Sequence, residues 1–285
     1  MRHLKKLATA ILLLAATTAL AAIRGPGPVT GVVIFDRWDG CILSSGWTVH
    51  YISEKIKGDL RASAAKAVLI TATEVDQPVN PGDELISKFT GLSPAPAAPP
   101  SAAALPGSPR IASVLQFKTS LASKVGELPV LKIDIVNASK SPWKAQRLQV
   151  GPTLLTKFDH TKLRLSPPAD GPSIAAITRV IIPLGDWSRA GLPERTVKKG
   201  YFYSYAGTMS GVPATLDVRD DPRLHQPLTL APGETLSLTC ELEAPAGEYD
   251  FLAGASDPDL VASNLTTFDI DNAGKTKPVT IKGRP

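Results

Sequence analysis

The chain has 285 residues, 43% hydrophobic and 20% charged, which excludes wholesale disorder and, at roughly 150 residues per domain, suggests about two domains. Its only long apolar run is N-terminal, which excludes a polytopic membrane protein, and its two cysteines exclude a disulfide-dense scaffold and a cysteine-rich zinc module. The net charge of +5 is partly N-terminal: setting aside Arg2, Lys5 and Lys6 takes 31 basic residues to 28 against 26 acidic ones, about +2, so nucleic acid is not expected as a partner.

Residues 1–21 read as a secretory signal peptide. Arg2, His3, Lys5 and Lys6 form a charged start, Leu7 to Ala21 an apolar stretch, and Ala19-Leu20-Ala21 a small-residue cleavage site that makes Ala22 the new N-terminus. The alternative is an uncleaved anchor, but the 17 residues from Leu7 to Ile23 fall short of the ~20 a span needs. Membrane contact is therefore expected only through an uncleaved signal. The implied location is secreted, periplasmic or at the cell surface.

Residues 29–92 read as a small β-module. Val32 to Phe35 is β-branched and aromatic, Asp36-Arg37-Trp38-Asp39-Gly40 is a hairpin turn, and Cys41 to Leu43 restarts the strand. Trp47, Val49 and Tyr51 alternate with Thr48 and His50 as a half-buried strand does. A short helical turn is expected within Glu54 to Leu60, a strand over Lys66 to Val75, a loop over Asp76 to Asp83 and a last strand near Ser87 to Leu92. That order suits a small closed barrel, OB-like in layout, because closure removes the edges of a sheet with a modest core.

Residues 93–109 read SPAPAAPPSAAALPGSP. With six Pro, six Ala and no charged or aromatic residue, the segment is expected to be an extended interdomain linker. At ~3.1 Å per residue it would reach up to ~50 Å.

Residues 110–285 read as a larger β-sandwich. Leu115 and Phe117 alternate with Gln116 and Lys118; Leu131, Ile133 and Ile135 alternate with Lys132 and Asp134; Leu236, Leu238, Cys240 and Leu242 alternate with Ser237, Thr239 and Glu241. The segment Gly247-Glu248-Tyr249-Asp250-Phe251 resembles the approach to strand F of immunoglobulin-like domains, where a corner tyrosine bonds back to the backbone. Phe251 stands where antibody domains carry a cysteine, which excludes the antibody-type disulfide. Val32 to Ile52 with its DRWDG turn, Lys66 to Gly82 and Leu228 to Phe268 together resemble secreted bacterial proteins that pair a short β-module with an immunoglobulin-like domain. No activity or functional residue comes with that resemblance.

Reaction motifs are scarce. His50, His160 and His225 lie at no metal-binding spacing and neither cysteine is in a CxxC pair. Asp269 and Asp271 begin a faint calcium-loop pattern, with Asp257 and Asp259 as nearby helpers, but Ala273 and Thr280 stand where ligands belong, so an Asn-Gly hairpin turn is preferred. There is no GxSxG, and Ser63 to Lys66 matches SxxK only as often as chance allows. Cys240 is expected to be a core thiol, and two free thiols are preferred to a bond between Cys41 and Cys240.

Two aromatic groups are candidate binding residues. Lys198 and Lys199 sit beside Tyr201 and Tyr203, and Trp38 and Trp47 flank the first hairpin. Aromatics with cations suit polysaccharide or surface-protein contact, although a strand with its aromatics in the core is the preferred reading. The leading expectation is a non-enzymatic binding or structural protein without a cofactor. The alternative is an extracellular polymer hydrolase whose carboxylate pair in the C-terminal module carries no motif.

Overall fold

A computed structural model describes residues 26–45, 48–76, 84–96, 114–157, 175–179, 182–185, 201–207, 214–219, 221–255 and 261–279. The segment read as a signal lies outside the described residues, as does the segment read as a linker except for residues 93–96. The all-β reading holds: strands account for most of what is described.

The N-terminal strands are β1 (Gly27–Phe35), β2 (Cys41–Ser45), β3 (Thr48–Ile52), β4 (Ala67–Asp76) and β5 (Glu84–Pro94). They pair in the order β1-β2-β3-β5-β4, and β4 pairs back to β1, so the hydrogen-bonded order closes into a ring. Only β3 and β5 run parallel. A 3-10 turn at Lys57–Ser63 joins β3 to β4 and buries Leu60 beneath the ring. Val29, Val33, Cys41, Leu43, Ile52, Ile70 and Ile86 fill the interior.

The opposite faces of these strands are buried too. Val32, Ile34, Ile42, Tyr51 and Leu85 form a second cluster with Leu155 and Leu252 from the C-terminal half. Burial on both sides explains why the sequence runs unbroken as Val-Val-Ile-Phe and Cys-Ile-Leu rather than alternating. It also corrects the half-buried reading of β3: His50 is buried along with Tyr51.

The C-terminal strands are β6 (Leu115–Leu121), β7 (Val130–Asn137), β8 (Trp143–Ala145), β9 (Arg147–Val150), β10 (Thr153–Lys157), β11 (Ala175–Arg179), β12 (Ile182–Gly185), β13 (Tyr201–Gly207) and β14 (Ala214–Arg219). They continue as β15 (Leu228–Leu230), β16 (Thr235–Glu243), β17 (Gly247–Leu252), β18 (Gly254–Ala255), β19 (Val261–Ala262), β20 (Thr266–Ile270) and β21 (Thr276–Lys277). One sheet has the order β13-β14-β16-β7-β6 and another β11-β10-β17-β20-β21; β12-β9-β18-β19 and β15-β8 are smaller. In β7 and β16 every second residue is buried, the period of two that the sequence displays.

All four sheets feed one core, which includes Ile133, Leu238, Trp143, Leu148, Phe251 and Phe268. Tyr249 stacks on Phe268 with centroids 5.7 Å apart, and its hydroxyl donates to the Pro245 carbonyl at 2.7 Å. The Asn137 and Asn264 side-chain amides are both engaged. Asn137 Nδ2 donates to the carbonyls of Ser141 and Leu230. Asn264 accepts from the Thr119 amide and donates to the Thr119 carbonyl, each at 3.0 Å, so its side chain substitutes for a neighbouring strand on β6.

Candidate functional site

Successive residues of β17 and β20 face opposite ways. Tyr249, Phe251, Phe268 and Ile270 enter the main core. Glu248, Asp250, Leu252, Thr267 and Asp269 therefore share the outer face, where a strand would normally meet water. Here the N-terminal ring covers that face, and the β1–β2 turn provides the polar contacts.

The turn is built around Asp36. Its Oδ1 accepts from the backbone amides of Trp38 at 2.9 Å and Gly40 at 2.8 Å. Asp39 adopts a left-handed φ of 67°, which a short polar side chain tolerates better than most. Glycine is required next: a Cβ on Gly40 would lie 2.5 Å from Asp36 Oδ2. The turn thus presents Arg37 and Trp38 outward from the ring.

Arg37 joins the two halves twice. Its backbone amide donates to Asp250 Oδ2 at 2.7 Å, and its Nη1 meets Asp269 Oδ1 at 2.5 Å. Thr267 Oγ1 donates to the other Asp250 oxygen at 2.6 Å. Trp38 Nε1 donates to Glu248 Oε2 at 3.0 Å, and the Arg37 guanidinium lies 5.7 Å from the Trp38 ring centroid. Beside this polar group lies the apolar seam against Leu155 and Leu252.

Burial sets the electrostatics. It pushes the Asp36 carboxyl up to about 6, against the pull of the Gly40 and Trp38 amides and with added repulsion from Asp250 and Asp39. Asp250 is also raised by burial, partly offset by Thr267 and Arg37. Asp39 behaves oppositely: its bonds to Arg61 and Lys57 hold it below the usual carboxylate range. Arg61 Nη2 contacts both Asp39 oxygens at 2.7 Å, and the Arg61 Cζ lies 4.9 Å from the Phe35 ring centroid.

The sequence candidates fall in different places. Trp38 belongs to this junction. Trp47, Lys198 and Lys199 lie outside the described residues. Tyr201 and Tyr203 belong to β13, in register with Arg219 and Val218 of β14. Asp269 is the buried partner of Arg37. Asp271 closes the β20–β21 turn, its Oδ1 accepting from the amides of Ala273 and Lys275. Asp257 and Asp259 lie outside the described residues. Among the described residues no group of three or more His, Cys, Asp or Glu is arranged to hold a metal ion. Both cysteines are free and buried, and burial pushes each thiol up to about 12.

Sequence reasoning missed Asp36, Arg37, Glu248 and Asp250 as a group. Asp250 and Asp269, each flanked by large apolar residues, were the available signal, but the same pattern marks any outward strand position.

The chain matches no protein-family model, no curated protein and no solved structure. Among the described residues no helix is long and apolar enough to cross a membrane.

Proposed function

We propose that this is a secreted, non-enzymatic all-β protein of the cell surface or periplasm, with a binding or structural role. The observation that carries the reading is the junction: the outer face of the ring and its first turn are used to cover the C-terminal sheet. The ring order, the single parallel pair and the helical excursion between β3 and β4 support an OB-like barrel. OB-folds bind ligands on the face of strands two and three and on the first turn. In this chain Ile42, Tyr51 and that turn meet the protein's own sheet. The barrel therefore acts as a built-in clamp rather than as a reader of nucleic acid.

The Tyr249 hydroxyl bond to Pro245 and the core position of Phe251 two residues later support an immunoglobulin-like sandwich for the C-terminal half. The hydrolase alternative would need an accessible carboxylate pair of perturbed acidity. Asp36 and Asp250 have the acidity, but they are 3% and 0% exposed, and protein groups occupy Asp36 Oδ1 and both Asp250 oxygens. Their arrangement serves docking of the two halves.

The test has two parts. The chain is expressed in a bacterial host with and without residues 1–21, and the exported form is sequenced from its N-terminus; export starting at Ala22 is expected only with the segment present. The purified protein is then incubated with polysaccharide and peptide panels, and crosslinked on whole cells. Retention of the full chain in the cytoplasm, or turnover of any polymer, would overturn the proposal.

A further inference from the structure

Among the described residues only four large apolar side chains are exposed, and three of them share one apex. Val125 is 65% exposed and Leu128 54%, both in the β6–β7 turn; Val279 is 38% exposed, just after β21. The two segments are tied together. The Gly126 amide donates to the Thr276 carbonyl at 2.7 Å, and the Thr276 amide returns a bond to the Glu127 carbonyl at 2.8 Å. The buried Thr276 hydroxyl donates to the Lys124 carbonyl. Leu128 is followed by Pro129 and Val279 is preceded by Pro278, which further restricts the backbone.

The apex carries cations on both segments. Lys124, Lys275 and Lys277 are all exposed. The acidic groups of the same turns bond to their own backbone: Glu127 Oε2 accepts from the Lys124 amide at 2.7 Å, and Asp271 Oδ1 from the amides of Ala273 and Lys275. A Cβ built on Gly126 or on Gly274 would meet nothing within 4 Å, so both turns face open space. Exposed aliphatics with exposed lysines on both hydrogen-bonded segments suit a surface that is apolar within and anionic at its rim.

We propose that this apex docks on an anionic phospholipid bilayer, with Val125, Leu128 and Val279 entering the headgroup boundary and the three lysines meeting lipid phosphates. A bilayer accepts protruding side chains without a complementary pocket, and the rigid turns lose little freedom on docking. This membrane contact does not involve the signal segment. It deepens the surface location proposed above, but it is measured in vitro and can fail while export stands.

The test is co-sedimentation of the chain from Ala22 onward, which holds every described residue. The vesicles are phosphatidylcholine alone, or phosphatidylcholine mixed with phosphatidylglycerol. Binding to the mixed vesicles is expected, weakening as salt rises. The V125D/L128D variant should lose about tenfold or more, since burial of one such side chain is worth about a factor of ten. The K124Q/K275Q/K277Q variant should lose the preference for the anionic lipid, and both variants should keep the wild-type melting temperature. Failure of the wild type to bind mixed vesicles, or equal binding by V125D/L128D, would overturn the proposal. So would self-association of the wild type, abolished in V125D/L128D, without vesicle binding, because the apex would then be an interface between copies.

Discussion

Asp36 gives the junction a pH dependence whose sign can be worked out. Its carboxyl titrates near 6 in the folded protein against 3.8 ordinarily, chiefly because burial disfavours the charge. The groups around it are the Trp38 and Gly40 amides that lower it, and Asp250 and Asp39 that raise it. With the folded value above the unfolded one, the folded state holds more protons between about 4 and 6. Stability from this site is therefore greatest below about 4, falls as pH rises through 6, and is level above. The full difference is about 3 kcal/mol, from 1.36 kcal/mol per pKa unit. Asp250, also raised, contributes in the same direction.

The Asp36→Asn variant isolates the effect. An asparagine oxygen can still accept from Trp38 and Gly40, but nothing ionises. At pH 7.5 the variant is expected to be more stable than the wild type by about 1–3 kcal/mol, the lower end allowing for an amide NH₂ without a good acceptor. By pH 4 the gain should vanish or reverse. Urea unfolding of both proteins at half-unit steps of pH measures the difference directly. A difference that does not change with pH, or one that favours the wild type more as pH rises, would refute the reasoning. The Asp36→Ala variant separates turn from charge: it removes the acceptor as well and should destabilise at acid pH.

Other outcomes follow from single contacts. Arg37→Ala should cost about 3–5 kcal/mol in urea unfolding because it leaves the Asp269 carboxylate buried without its cation, and a second change, Asp269→Asn, should restore part of the loss. Tyr249→Phe removes the bond to the Pro245 carbonyl and should cost about 1 kcal/mol by the same assay. Cys41 and Cys240, buried and pushed up to about 12, should resist a thiol reagent at pH 8 in the native protein and react fully in denaturant.

The strands of the C-terminal half are legible because their side chains obey a period of two, the first strands of the N-terminal half because they run as unbroken β-branched and apolar stretches, and the turns because Asp-Gly and Asn-Ala-Gly interrupt these patterns. Asp271 with Gly274 reads as a hairpin turn, and the structure pairs β20 with β21 across it. The junction is not legible in the same way. Nothing local distinguishes an outward Asp250 bathed in water from one that receives Arg37 from a position 213 residues earlier. Val32, Ile34 and Ile42 hold a partial signal, since strands apolar on both faces need a cover on each. That signal says a cover exists without naming it. The apex is hidden for another reason: an isolated exposed Val or Leu is ordinary. Only the bonds between Gly126, Glu127 and Thr276 show that residues about 150 apart in the chain share one surface.

The junction also bears on how the two halves work. A linker reaching up to ~50 Å would let independent modules engage separate sites and gain from effective concentration. That gain requires each module to move against the other. Here the apolar seam around Leu155 and Leu252 and the Arg37 contacts join the halves into one body. Two-site binding would need the junction broken first. Arg37→Ala should loosen the seat at every pH. A binding activity that survives that variant therefore belongs to one half alone, and one that is lost belongs to the assembled face.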